Sequence, residues 1–187
     1  LLQSTMDARF WDEARGGYFN SAADDASIVL RLREDYDGAE PAPSSVAAGN
    51  LLRLAALLGE ATVYRERGVR CIEAFRAQWS AQPHGLPQML CALEWALEPP
   101  RHVVIAGDPG SADFHALTAV LHERLGPRRT LLAVTSEDDR DWWAKRAPWL
   151  AEMRPSGGRA TAFVCEEWTC RAPVTDPGEL RGILGGA

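Results

Sequence analysis

The best local candidate for chemistry in the sequence is the acidic stretch Glu34-Asp35-Tyr36-Asp37-Gly38-Ala39-Glu40. Paired carboxylates can serve as acid and base on a sugar, or hold a hard cation. Asp35 and Asp37 are therefore the candidate catalytic residues, with Tyr36 and Glu40 as ligand-binding candidates beside them. The Asp-x-Asp-Gly piece shares the opening of a calcium loop, but the other ligand positions are missing and no metal is assigned. The competing reading is mechanical: Asp37-Gly38 makes a tight turn and the acids cap the helix that follows. Turn formation explains both Asp and Gly without further help and is preferred.

Cys165 and Cys170 form the second candidate group, with redox chemistry as the function in view. Their spacing is not the redox Cys-x-x-Cys, and metal binding would need two further ligands that His102 and His115 are not spaced to provide. A disulfide requires the chain to turn back around Glu166-Glu167-Trp168. Buried structural thiols are the preferred reading; a disulfide or redox role and metal binding stay open behind it. Gly107-Asp108-Pro109-Gly110-Ser111 joins a strand to a helix and reads as an ordinary turn with Ser111 near the cap, since neither G-x-G-x-x-G nor a P-loop is present. His84, His102, His115 and His122 are scattered, and the seven-residue interval between the last two separates them by two helical turns. Tyr18, in Gly16-Gly17-Tyr18-Phe19, is a candidate sugar-stacking ring, although such a motif more often makes a turn and buries its rings.

Composition narrows the function classes. The chain has 187 residues, 46% hydrophobic and 25% charged, the balance of a folded protein. A net charge of -6 argues against a nucleic-acid groove. Arg124, Arg128 and Arg129, the nearest basic group, read as a helix C-terminus and its turn. No apolar run approaches the roughly 20 residues of a membrane helix. Four cysteines and no visible signal pattern favour a reducing cytoplasm. The opening Leu1-Leu2-Gln3-Ser4-Thr5 lacks an initiator methionine and reads as mid-helix, so a preceding segment is expected. Seven tryptophans, spread from Trp11 to Trp168, read as core anchors.

The elements that must position these residues fall into two halves, 1–100 and 101–187, divided near Pro99-Pro100. In the first, residues 46–58 form an apolar helix entered through Pro43 and a Ser44/Ser45 cap and closed by Gly59. A second helix carries Tyr64, Gly68, Cys71, Ile72, Phe75 and Trp79 on one face, and a third starts near Leu86 with Met89, Leu90, Leu93 and Leu97. Short connections predict antiparallel helical hairpins. Residues 16–20 and 28–32 read as a small β-hairpin with a polar loop. In the second half, strands at 103–106, 130–134 and 160–165 alternate with helices, which predicts a small parallel βαβαβ sheet. The helix between the first two strands carries Phe114, Leu117, Leu121 and Leu125 on one side. The fold class is α+β.

Four segments carry a family likeness: Phe10-Trp11-Asp12 with Gly16-Gly17-Tyr18-Phe19; Asp35-Tyr36-Asp37-Gly38-Ala39-Glu40-Pro41 leading to Ser45-Val46-Ala47-Ala48 and Asn50-Leu51-Leu52-Arg53-Leu54; Val103-Val104-Ile105-Ala106-Gly107; and Thr161-Ala162-Phe163-Val164-Cys165 with Cys170 and Pro173. Their order and spacing resemble the C-terminal portion of the YyaL/spermatogenesis-associated protein 20 family. One departure is Ala42-Pro43-Ser44-Ser45, where the family has Ser-Gly-Asn-Ser before the helix.

The resemblance implies an N-terminal thioredoxin-like domain outside this chain, followed by an (α/α)6 toroid similar to N-acylglucosamine 2-epimerases and six-hairpin glycosidases. This chain would supply the last helical hairpins of that toroid, a partial toroid, and a terminal α/β segment. The expected role is a non-catalytic scaffold for the thioredoxin-like domain and the remainder of the toroid, with no cofactor. The alternatives are part of a carbohydrate-processing enzyme, or a redox-linked protein using Cys165 and Cys170. A partial toroid leaves an apolar helical face uncovered, so self-association is also expected.

Overall fold

The computed structural model describes residues 2–58, 61–126, 128–167 and 169–185. Leu1, the helix-closing Gly59 and the turn residue Trp168 named above lie outside the described residues. Apart from the end of the second helix, the chain divides into two compact units between Glu98 and Pro99.

The first unit is helical. Helix α1 (Leu2–Phe10) runs into a tight reversal. Asp12 Oδ1 accepts the amides of Ala14 and Arg15 at 3.0 and 3.1 Å, and Gly16 and Gly17 take φ of 79° and 80°. A side chain at Gly16 would strike the Arg70 carbonyl, 2.8 Å from its Cβ, so both backbone angle and space require glycine there. The reversal pairs Trp11 with Tyr18, and the Phe19 amide donates to the Phe10 carbonyl at 2.9 Å.

That pairing overturns the expected β-hairpin of residues 16–20 with 28–32. The two glycines form the turn, and the residues after them pair backwards onto Phe10, Trp11 and Asp12. Residues 28–32 are left as irregular chain, tied to Asn20 through its amide and the Leu32 carbonyl at 2.8 Å.

Helices α2 (Pro43–Leu58), α3 (Ala61–Glu73), α4 (Arg76–Ala81) and α5 (Pro87–Leu97) follow. Pro43 opens α2, a position where its missing N–H costs nothing. Ser44 and Ser45, expected as caps, lie inside the helix and are buried. The single helix expected across Tyr64 to Trp79 is two, α3 and α4. It breaks at Phe75, whose φ of -111° and ψ of 17° leave the helical region while its ring is buried. Leu51, Leu52, Cys71, Ile72, Phe75, Leu86, Met89 and Trp95 fill the core with Tyr18.

The second unit is a four-stranded sheet covered on both faces. Its strands are β1 (Arg101–Ala106), β2 (Arg129–Val134), β3 (Thr161–Glu166) and β4 (Thr169–Cys170), in the order β2-β1-β3-β4. Alternation along the strands divides the core in two. Val103, Ile105, Ala162 and Val164 pack against helix α6 (Ala112–His122) and helix α8 (Pro177–Gly185). Val104, Ala106, Phe163 and Cys165 face the other way, onto Ala147, Leu150 and Met153, which follow helix α7 (Glu137–Ala144).

The expected three-stranded parallel sheet is corrected in number and direction. Strands β1 and β2 are parallel, whereas β3 runs antiparallel to β1 and β4 antiparallel to β3. Val134, the end of β2, and Thr161, the start of β3, both pair with Ala106. The connection through α7 therefore leaves and re-enters the sheet at the same end. A parallel crossover must travel back along the sheet; an eight-residue helix followed by a 3-10 turn at Pro148–Leu150 folds up where it started. Leu125, expected on the face of α6, lies beyond its end and is exposed. Helix α8 was not anticipated; Asp176 Oδ1 accepts the Glu179 amide at 2.9 Å at its start, and Leu180 is buried. Among the described residues, no helix is long and apolar enough to cross a membrane.

Candidate functional site

The acidic loop closes the helical unit. Asp37 is buried, and its carboxylate accepts three backbone N–H groups: Ala42 on Oδ1 at 2.8 Å, and Gln88 and Met89 on Oδ2 at 2.8 and 3.3 Å. Gln88 and Met89 belong to the first turn of α5, whose amides have no partner within the helix. The Asp37 amide donates in turn to the Gly85 carbonyl at 2.7 Å. One side chain thus ties the entry of α2 to the start of α5, a cap delivered from 51 residues away.

The other acids are elsewhere. Asp35 and Glu40 are exposed, and the Glu40 carbonyl accepts the Gly38 amide at 3.1 Å. Tyr36 is 59% exposed, its ring lying over Gly38 and Gly85. Asp37 thus faces backbone amides while Asp35 faces solvent, an arrangement unlike a pair of carboxylates converging on one substrate.

Tyr18 is a core residue. Its hydroxyl donates to Asp7 Oδ1 at 2.6 Å, Gln3 Nε2 donates to the hydroxyl at 3.1 Å, and Trp11 stands edge-on at 5.1 Å. Burial, followed by the Asp7 carboxylate, pushes the phenol well above its ordinary pKa. Asp7 Oδ2 pairs with Arg67 at 2.5 Å, and the Arg67 guanidinium lies over the Trp11 ring at 5.1 Å, with Arg70 over the same ring at 5.5 Å. Sequence reasoning missed this cluster. Asp7 and Arg67 are 60 residues apart, so no local spacing marks them as partners.

The remaining candidates lie in the sheet unit. Ser111 Oγ caps α6, accepting the Phe114 amide at 3.4 Å, and Asp113 Oδ2 accepts the Ala160 amide at 2.7 Å. Arg129 reaches back to the Leu121 and Arg124 carbonyls at the end of α6, as a basic residue at a helix C-terminus does. Among the histidines, His84, His115 and His122 are exposed. His102 is buried on β1, with Nδ1 2.8 Å from Thr130 Oγ1 and its ring 5.1 Å from Trp149. Burial lowers its pKa. Among the described residues, no three or more His, Cys, Asp or Glu side chains are grouped to hold a metal ion.

Cys165 and Cys170 are joined by a disulfide, a correction to their preferred reading as separate buried thiols. They are directly opposed on β3 and β4, the register that brings two sulfurs within bonding reach. Cys165 is buried and Cys170 exposed. Cys71 and Cys91 are free; Cys71 is buried, and that burial pushes its thiol up to about 12.

Comparison with known proteins places this arrangement among relatives. The chain is 38% identical over 184 residues to human spermatogenesis-associated protein 20, which covers 98% of this chain and 23% of that protein. The mouse protein of the same name is 37% identical over the same length. Over nearly its full length the chain is similar to spermatogenesis-associated protein 20. It spans about a quarter of the length of these relatives. An uncharacterized protein of Caenorhabditis elegans is 31% identical over 184 residues, again nearly the whole of this chain and 24% of the other. No family model matches the chain. The spermatogenesis-associated protein 20 likeness extends through both units, so the acidic cap, the Tyr18 cluster and the cysteine hairpin all lie within the matched length.

Proposed function

We propose that this chain is a non-catalytic interaction region, docking through residues 28–32 against the rest of a longer spermatogenesis-associated protein 20 polypeptide. The observation that carries this is an apolar segment held in place yet turned to solvent. Arg31 donates to the carbonyls of Ser21 and Arg9 and lies over the Phe19 ring at 4.0 Å. Beside it, Val29, Leu30 and Leu32 are 102, 71 and 62% exposed. Leaving apolar area in water costs about 25 cal/mol per Å2, and apolar side chains gathered on a surface commonly mark a contact. The relatives' greater length supplies an occupant. By the resemblance, it would be the thioredoxin-like domain and the remaining hairpins of a toroid. Engagement of Asp37 with three backbone amides supports a structural role for the acidic loop. The compartment proposed is the cytoplasm.

The test is co-purification of this chain with the separately expressed remainder of the polypeptide, using the natural chain and a Val29→Asp/Leu30→Asp variant. The natural chain is expected to bind and the variant to bind at least tenfold more weakly. No association of the natural chain, equal binding by the variant, or residues 28–32 engaged only in self-association by light scattering would overturn the proposal.

A further inference from the structure

The Cys165–Cys170 bond closes a hairpin that other bonds already close. Glu166 pairs with Thr169 inside it, the Arg171 amide donates to the Val164 carbonyl at 2.9 Å, and Ala162 and Val174 exchange both backbone hydrogen bonds at 2.8 and 3.0 Å. The stabilising leverage of a disulfide grows with the loop it closes, and here the cysteines are only five positions apart. As a staple, the bond has little left to hold.

Its surroundings suit exchange better. One sulfur-bearing residue, Cys170, is exposed on the two-residue edge strand β4, open to an attacking thiolate. Its partner Cys165 is buried directly across from His102 in the β1–β3 register, a polar neighbour for a released sulfur. The turn between the strands holds Glu167 at φ of 48°, a conformation disfavoured for a side-chain-bearing residue and held while the hairpin is closed.

We propose that Cys165–Cys170 is an exchangeable disulfide, opened by a dithiol at the exposed residue Cys170 while the fold stays intact. The attacking thiolate forms a mixed disulfide with Cys170; the Cys165 sulfur leaves with the bonding electron pair and takes up a proton. The second thiol of the dithiol then attacks the mixed disulfide, releasing Cys170 and closing its own disulfide. Two electrons pass from the dithiol to the protein, leaving two cysteine thiols. In a reducing compartment, such a pair acts as a redox sensor rather than a permanent link. This inference does not rest on docking through residues 28–32, and its test leaves that segment unchanged.

The full chain carrying Cys91→Ser, which removes the exposed free thiol, would be incubated in native buffer across a series of reduced and oxidised dithiothreitol ratios. Acid quenching, alkylation in denaturant and peptide mapping would then read Cys165 and Cys170, with circular dichroism monitored in parallel. The expected result is gain of two alkylated cysteines on reduction, loss of both on reoxidation, and an unchanged far-ultraviolet spectrum. A Cys170→Ser/Cys91→Ser chain should retain the fold and show no such redox-dependent pair. Reduction only in denaturant, loss of the fold on reduction, or thiols present at every ratio would overturn the proposal.

Discussion

The helical unit and the sheet unit bury their cores by different means. In the sheet unit, alternate residues on neighbouring strands divide themselves between two faces, so Val103 and Ile105 meet one set of partners and Val104 and Ala106 another. In the helical unit, polar side chains fix the path of the chain: Asp37 joins the entry of α2 to the start of α5, and Asp7 joins the Tyr18 hydroxyl to Arg67. Apolar periodicity is enough to define a sheet face. The irregular stretch between α1 and α2 has no such periodicity and depends on a few hydrogen-bonding groups with particular partners.

The largest effect that separates the units should come from Ile105→Ala. Ile105 is buried between strands and helix, and truncation of such a residue costs about 2–5 kcal/mol. Hydrogen exchange followed by mass spectrometry should show faster exchange across β1 and β3, with α2 and α5 largely unchanged. Equal acceleration in both units would mean that they open together, and the distinction would fail.

Next is Asp37→Ala, which leaves buried amides without their acceptor at about 1–3 kcal/mol each before relaxation and water entry. Its exchange signature should be the reverse, concentrated at the start of α5 and around Ala42. Asp37→Asn, which keeps a carbonyl oxygen, should lose less stability in urea titration. If the alanine variant were as stable as the natural chain, the polar-cap account of the helical unit would be wrong.

A smaller, pH-dependent effect belongs to His102. Burial holds its folded pKa below the ordinary 6.5, so the unfolded chain takes up the proton first as pH falls. Its contribution is present above 6.5 and is lost as pH falls through the lowered folded value. Urea midpoints at pH 7.5 and 5.0 should fall more for the natural chain than for His102→Gln. Parallel curves would remove His102 as a source of acid sensitivity. Smallest of all, Asp35→Ala should change stability by no more than about 0.5 kcal/mol, as expected for an exposed side chain. A large loss there would show that the acidic loop is held by more than Asp37.

Much of the sheet unit was legible in advance because its signals are local. The apolar runs at Val103-Val104-Ile105-Ala106 and Leu131-Leu132-Ala133-Val134 coincide with β1 and β2, and Phe163-Val164-Cys165 with β3. The direction of β3 was not legible, since strand pattern is the same read either way and only the length and path of the α7 connection decide it. In the helical unit, residues 28–32 have the composition of a strand but stay irregular, because Gly16 and Gly17 turn Tyr18 and Phe19 onto Phe10 and Trp11. The preference for Asp37 as a turn and cap residue agrees with its hydrogen bonds, although its α5 partners could not be read from the loop itself.

The sequence by itself determined most of the helices, the apolar strands β1, β2 and β3, the α+β class and the family likeness, because periodicity, turn chemistry and ordered motifs are carried by neighbouring residues. Only the tertiary structure decided that Asp37 caps a helix 51 residues away, that Tyr18 meets Asp7 and Asp7 meets Arg67, and that Cys165 and Cys170 face each other across a hairpin. Those partners are chosen by where the backbone turns and by strand register. Both are settled by the packing of the whole unit and leave no trace in the spacing of the residues they bring together.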